Sequence, residues 1–290
     1  MNTVAMKKPS AQNAFTLIEL LVVIAVIALL MAILVPALQR ARRQAASINC
    51  LANVKTLGTG WYMYAMDNNG QIMSCLMDAK TPKGTLFGWI GTPRTANSTM
   101  CTTTQTAPAV TDEDEIRGIM AGVLYRYAPN PKSYHCPSDT IRISKHDHSK
   151  VFVSYEIPAC LSDPTKAITP GQITRLDQIR KPSEKYCFVE SAECRNFNSA
   201  GRFPMGVPSN THDLAAWQWW GPMAVNHGDS STLGFCDGHA ERHKWVDKYT
   251  LTRWDEILRQ ADDNYGKDSP PAGQRTDIEY IARGWPYEDR

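Results

Sequence analysis

The side chains best suited to chemistry cluster late in the chain: His227, nine intervening residues, Asp237-Gly238, and then His239-Ala240-Glu241-Arg242-His243. Imidazole and carboxylate donors suit zinc or manganese, and a hairpin could bring His227 near Asp237. Two arguments weigh against a metal there. Asp237 is already accounted for by the turn, because Asp-Gly between two β-rich runs (231–236 and 239–246) marks a two-residue hairpin turn with positive φ at both positions. His239, Glu241 and His243 do not have the order of H-E-x-x-H, and on a strand they share a face at period two. His146-Asp147-His148 falls in a polar loop, where solvent exposure is the default. The sequence has no G-x-S-x-G, phosphate-cradling loop or Cys/His nucleophile signature. The expectation is a non-enzymatic protein with no catalytic residue, no metal site and no cofactor.

The eight cysteines (Cys50, Cys75, Cys101, Cys136, Cys160, Cys187, Cys194 and Cys236) include no C-x-x-C pair, which argues against zinc ribbons and thioredoxin-like chemistry. In an exported domain an even number of cysteines permits disulfides, with the pairing undetermined by sequence. Structural bridges are the preferred reading. Trp217, Trp219 and Trp220, with Trp61 and Trp89 elsewhere, could stack on sugar faces, but indoles are equally at home in a core, and packing is favoured. The 31 basic and 29 acidic residues leave a net charge of +2, with the basic residues scattered, so nothing points to a nucleic-acid groove.

One carboxylate is out of place. Glu19 lies inside the run FTLIELLVVIAVIALLMAILVPAL, residues 15–38. As a helix this run spans about 36 Å, enough to cross a bilayer core of about 30 Å. A charge at the centre of such a helix costs about 2.5–3.5 kcal/mol on insertion scales, so Glu19 requires a reason. A cleaved secretory signal has a shorter apolar region, followed by its cleavage site, and a plain anchor leaves Glu19 unexplained.

These elements must be positioned by the rest of the chain. Beyond the apolar run, Ile48, Leu51, Val54, Leu57, Trp61 and Tyr64 recur at gaps of three and four, one stripe of an amphipathic helix. A single helix over 15–67 is expected, kinked at Pro36 by the clash of its ring with the carbonyl four residues back, and ended by Asn68-Asn69-Gly70. Residues 71–110 read as a short strand or two plus a surface loop. A second helix is expected from Thr111, its acidic run 112–115 suiting the helix dipole, to about Tyr127. Strands are expected in 150–157 and 185–190, a short helix or turn between Pro170 and Lys181, the hairpin at 231–246, and a helical piece over 252–263 before a Pro-rich polar tail. The fold class is α+β: a long kinked N-terminal helix packed on a globular domain with an antiparallel sheet.

The polar leader MNTVAMKKPSAQNA, followed by Phe15 and T-L-I-E-L at the head of a membrane helix, resembles the N-terminus of type IV prepilins and type II secretion pseudopilins. Ala14 stands where that family usually has Gly. The resemblance implies a leader over 1–14, cleavage between Ala14 and Phe15 and methylation of the Phe15 amine by a prepilin peptidase, a transmembrane and amphipathic helix over 15–67, and an exported domain over 68–290. It implies a pilin-like fold and a filament subunit anchored in the inner membrane with a cytoplasmic N-terminus, the outer domain being periplasmic or on the cell surface. Glu19 would pair with the Phe15 amine of a neighbouring subunit, offsetting part of its desolvation. The H-x9-D-G spacing of His227, Asp237 and Gly238, the segment Tyr134-His135-Cys136-Pro137-Ser138-Asp139, and Lys181-Pro182-Ser183-Glu184 before the strand ending at Glu190 are similar to the C-terminal domain of prepilin-like proteins named for that motif. That likeness supplies no chemical role for His227 or Asp237. The partners expected are the peptidase, other pilin or pseudopilin subunits and the bilayer. The rival reading is an anchored surface module binding polysaccharide.

Overall fold

The computed structural model describes residues 17–80, 84–101, 110–139, 152–163, 172–192, 201–221, 223–253 and 267–287. The architecture is α+β, a long apolar helix followed by a domain with an antiparallel-rich sheet. The chain divides into two units, up to Gln44 and from Ala45 onward, with the division falling inside the first helix.

Helix α1 (Leu17–Asp67) is rich in Leu, Ile and Ala and runs through Pro36 without a break in its assignment. Its end is set by Asn69 and Gly70, both left-handed at φ 54° and 81°, while the Gly70 N–H reaches back to the Ala65 carbonyl at 2.7 Å. This is the six-to-one bond of a Schellman cap, and Asn69 rather than glycine takes its first left-handed position. The buried stripe is Ser47, Cys50, Val54, Leu57, Trp61 and Tyr64. It differs from the expected one at its start, where Ile48 is 62% exposed and the polar Ser47 and the thiol of Cys50 face inward instead.

Helix α2 (Asp112–Ala121) opens on a capping box in which Thr111 and Asp114 satisfy each other's backbone N–H groups. It stops six residues before the expected Tyr127. Gly122 turns extended at ψ 157°, and a Cβ there would lie 2.3 Å from the Trp89 carbonyl oxygen, so the chain passes too close to residues 89–90 for helix to continue. A short 3-10 turn, Val123–Arg126, follows.

The strands are β1 (Tyr155–Pro158), β2 (Tyr186–Glu190), β3 (Arg202–Phe203), β4 (Met205–Gly206), β5 (Gln218–Trp219), β6 (Ser230–Phe235) and β7 (Ala240–Lys244). Five form one sheet in the order β3-β1-β2-β6-β7, and β4 pairs with β5. Only β1 with β3 is parallel within the larger sheet. Every residue of β2 and β6 is buried, as expected of central strands with apolar runs.

Between β6 and β7 the turn is longer than Asp-Gly alone predicts. The Phe235 N–H bonds the His239 carbonyl and the Gly238 N–H bonds the Phe235 carbonyl, both at 2.9 Å. Gly238 has φ 89° while Asp237 keeps negative φ. Cys236, Asp237 and Gly238 thus form a three-residue loop, a type I turn closed by a left-handed glycine.

Two regions expected to be peripheral enter the core. Ile72, Met73, Cys75, Trp89 and Ile90 are buried, although 71–101 is organised by isolated bridges rather than strands. Helix α3 (Thr276–Gly284) occupies what reads as a polar tail, burying Ile278, Ile281 and Ala282. Its Asp277 accepts from the Asp247 N–H at 2.9 Å while its own N–H donates to the Asp247 carboxylate at 2.7 Å. Helical residues 248–253 overlap the start of the piece expected over 252–263, and residues 254–263 lie outside the described ones.

The second half of α1 packs directly on the sheet. A Cβ at Gly234 of β6 would lie 2.7 Å from Val54 Cγ1, and Gly58 of α1 lies against Gly238 and Cys187 Sγ. Gly234→Val is expected to lower stability by about 1–3 kcal/mol through overpacking, measured by denaturant titration of the detergent-solubilised chain. An unchanged midpoint would show that the helix is not seated on β6.

Candidate functional site

His227 is not beside Asp237. It lies ahead of β6, whereas Asp237 lies beyond the strand's other end, and six residues of strand span about 20 Å. His227 instead meets Cys50 from α1, Cys136 from the loop after the 3-10 turn Pro131–Tyr134, and Glu190 at the end of β2. The four donor atoms, two sulfurs, one carboxylate oxygen and one imidazole nitrogen, all lie within 4.8 Å of one another. His227 Nε2 is 3.0 Å from Glu190 Oε1 and 3.5 Å from Cys136 Sγ. The side chains of His227 and Glu190 are 1% and 0% exposed.

Three of the four stretches that carry the donors are held from behind. His227 Nδ1 faces Ser138 Oγ at 3.4 Å, which turns Nε2 toward the cluster. The Cys136 N–H donates to Ser154 Oγ at 2.9 Å, and that hydroxyl donates to Asp139 at 2.5 Å. Asn53, one turn along α1 from Cys50, donates to the His135 carbonyl at 3.0 Å. Glu190 Oε2 is buried with no hydrogen-bond partner. Burial alone would lower the His227 pKa, but its bonds to Cys136 and Glu190 outweigh this and carry it to about 10. Hydrogen bonding with Cys50, reinforced by burial, pushes the Cys136 thiol up. Chemically, the cluster is a closed, water-poor donor set.

Sequence reasoning missed Cys50, Cys136 and Glu190 as partners of His227. Cys136 and Glu190 stand in segments similar to the prepilin-like domain, yet no local spacing joins them, since the cluster draws on positions as far apart as 50 and 227. Disulfides are not what the described cysteines form. Cys50, Cys75, Cys101, Cys136, Cys160, Cys187 and Cys236 are free thiols, all but Cys101 buried, where cysteine behaves as a small hydrophobe. Cys194 lies outside the described residues.

The second candidate locus is the first half of α1. From Leu17 to Leu38 its large apolar residues are exposed, Leu17 by 84% and Ile33 by 69%. The most apolar eighteen-residue window has a mean hydropathy of 3.2, and the helix is long and apolar enough to cross a membrane. Glu19 is the charged residue of this stretch and sits in its first turn. Residues 9–35 match the prokaryotic N-terminal methylation motif. The methylation motif makes the chain prepilin-like at its N-terminus and, with the apolar helix, marks it as membrane-anchored. It implies processing by a prepilin peptidase and assembly with other pilins. Ala14 and Phe15, the residues expected to flank the cleavage point, lie outside the described residues. The match ends at residue 35, so the H-x9-D-G likeness rests on its own residues. Neither a curated protein nor a solved structure matches the chain.

The remaining candidates have structural partners. Asp237 holds His239 at 2.5 Å, and the His239 ring stacks on Phe235. Glu241 accepts from the Tyr280 hydroxyl at 2.6 Å. Trp217 and Trp219 are fully buried, with Trp217 against Trp285 and Trp219 against Trp245, while Trp220 is half-buried with Lys267 Nζ 4.9 Å from its ring centroid. His146, Asp147 and His148 lie outside the described residues. His243 stacks on Tyr280 at 3.6 Å, and burial lowers its pKa below the ordinary 6.5 despite Asp277 and Glu241 nearby. The unfolded chain therefore takes up a proton first as pH falls. The stability from neutral His243 is complete above 6.5 and is lost as pH falls below that value and through the lower pKa of the folded chain. His243→Gln is expected to flatten the fall in denaturation midpoint between about pH 7 and about pH 5. An identical slope in the variant would assign the dependence to other groups.

Proposed function

We propose that the chain is a structural subunit of a type IV pilus-like or type II secretion pseudopilus filament, cleaved after Ala14 and methylated at Phe15. One observation carries the reading: the methylation motif over residues 9–35 coincides with an exposed apolar helix whose single early carboxylate is Glu19. In a bilayer that carboxylate needs a compensating group. The amine created at Phe15 is a suitable one on a neighbouring subunit, because a buried ion pair is tolerated where geometry and hydrogen bonds are good. A misregistered neighbour would leave both charges unpaired, so the pair also sets the stagger between subunits.

The amphipathic second half of α1 supports the same reading. It carries the globular domain on the inner stripe from Ser47 to Tyr64. The glycan-binding alternative loses most of its support, since Trp217 and Trp219 are enclosed and Trp220 alone of the three is half-buried.

The expected N-terminal peptide from native membranes begins at N-methylated Phe15, read by mass spectrometry. Glu19→Ala is expected to be cleaved as usual and to be absent from sheared filaments. An intact Met1 in the native protein, or normal filaments from Glu19→Ala, would overturn the processing route or the register role respectively.

A further inference from the structure

We propose that Cys50, Cys136, Glu190 and His227 bind one divalent metal ion of the zinc class, in a closed structural site that ties the second half of α1 to the sheet. Two thiolates, an imidazole and a carboxylate are a donor set for zinc, and soft sulfur disfavours calcium and magnesium. Metal–ligand bonds of about 2.0–2.3 Å in a tetrahedron place ligands about 3.3–3.8 Å apart. The observed separations of 3.0 Å and 3.5 Å, with all four donors inside 4.8 Å, need only a small adjustment to reach that geometry.

Three further observations point to a ligand rather than to ordinary packing. Glu190 Oε2 has no hydrogen-bond partner although the side chain is 0% exposed, and an ion pair with His227 satisfies only Oε1. Ser138 holds His227 Nδ1, the outer-shell contact that orients a metal-binding imidazole. The four donors come from four separate stretches of chain, three of them held by hydrogen bonds of their own. Four protein ligands leave no open position, so the ion is structural and supplies no reaction. Loading releases the two thiol protons, and any proton on His227 Nε2, to solvent; no oxidation state changes.

The test uses the full-length protein, purified in detergent under anaerobic conditions. Elemental analysis is expected to find one zinc per chain. Exchange with Co2+ is expected to give a thiolate-to-cobalt charge-transfer band in the near ultraviolet and the intense visible bands of a tetrahedral ion. Cys136→Ser and Glu190→Gln are expected to lose the zinc, while Cys187→Ser, which alters a buried thiol outside the cluster, keeps it. Ser138→Ala should weaken zinc retention against a chelator by about 10–100-fold. Wild-type protein with neither stoichiometric zinc nor the cobalt–thiolate band would overturn the proposal, and that result depends on no variant folding. Zinc retained by Cys136→Ser, or a Cys50–Cys136 disulfide in unreduced peptides from native membranes, would overturn it as well.

Discussion

The seating of the α1 extension on the sheet is the contact on which the globular domain depends. Val54 occupies the space left by the missing side chain of Gly234, and Leu57 and Trp61 continue the same buried line. This close approach brings Cys50 to the end of β2 and Gly58 to the hairpin loop. Trp89, stacked on Tyr134 and edge-on to Phe188, closes the core around the irregular segment between α1 and α2. Its indole N–H bonds the carbonyls of Cys75 and Gly201, so a stretch with little regular structure still has its backbone satisfied.

Against that apolar seat, the His227 cluster is a concentrated polar exception. Buried ionisable groups destabilise a fold unless they are paired and hydrogen-bonded. Here an imidazole, a carboxylate and two thiols share one enclosed volume, with Ser138, Ser154 and Asn53 behind them. The arrangement links α1, the loop at Cys136, β2 and the approach to β6 at a single point.

Much of the architecture was legible in the sequence. The three-and-four spacing from Val54 to Tyr64 marked the inner face of α1, Asn68-Asn69-Gly70 marked its end, and Thr111 with the acidic run 112–115 marked the start of α2. Each rests on geometry within a few residues. The errors arose where distant parts of the chain intervened: Gly122 ends α2 because residues 89–90 lie against it, and α3 buries Ile278, Ile281 and Ala282 while Asp277 and Asp247 exchange hydrogen bonds. The hairpin was found, but its loop grew from two residues to three because Cys236 leaves the ladder.

By itself the sequence determined how this protein meets the membrane, since an apolar helix with one early carboxylate, matched over residues 9–35 to the methylation motif, is a property of consecutive residues. Only the tertiary structure decided what His227 touches. The sequence allowed a hairpin to bring His227 near Asp237; the structure puts them at opposite ends of β6, and the strand order and the packing of α1 carry Cys50, Cys136 and Glu190 to the imidazole. Local spacing encodes faces and turns; which faces meet is set by the burial of the whole core.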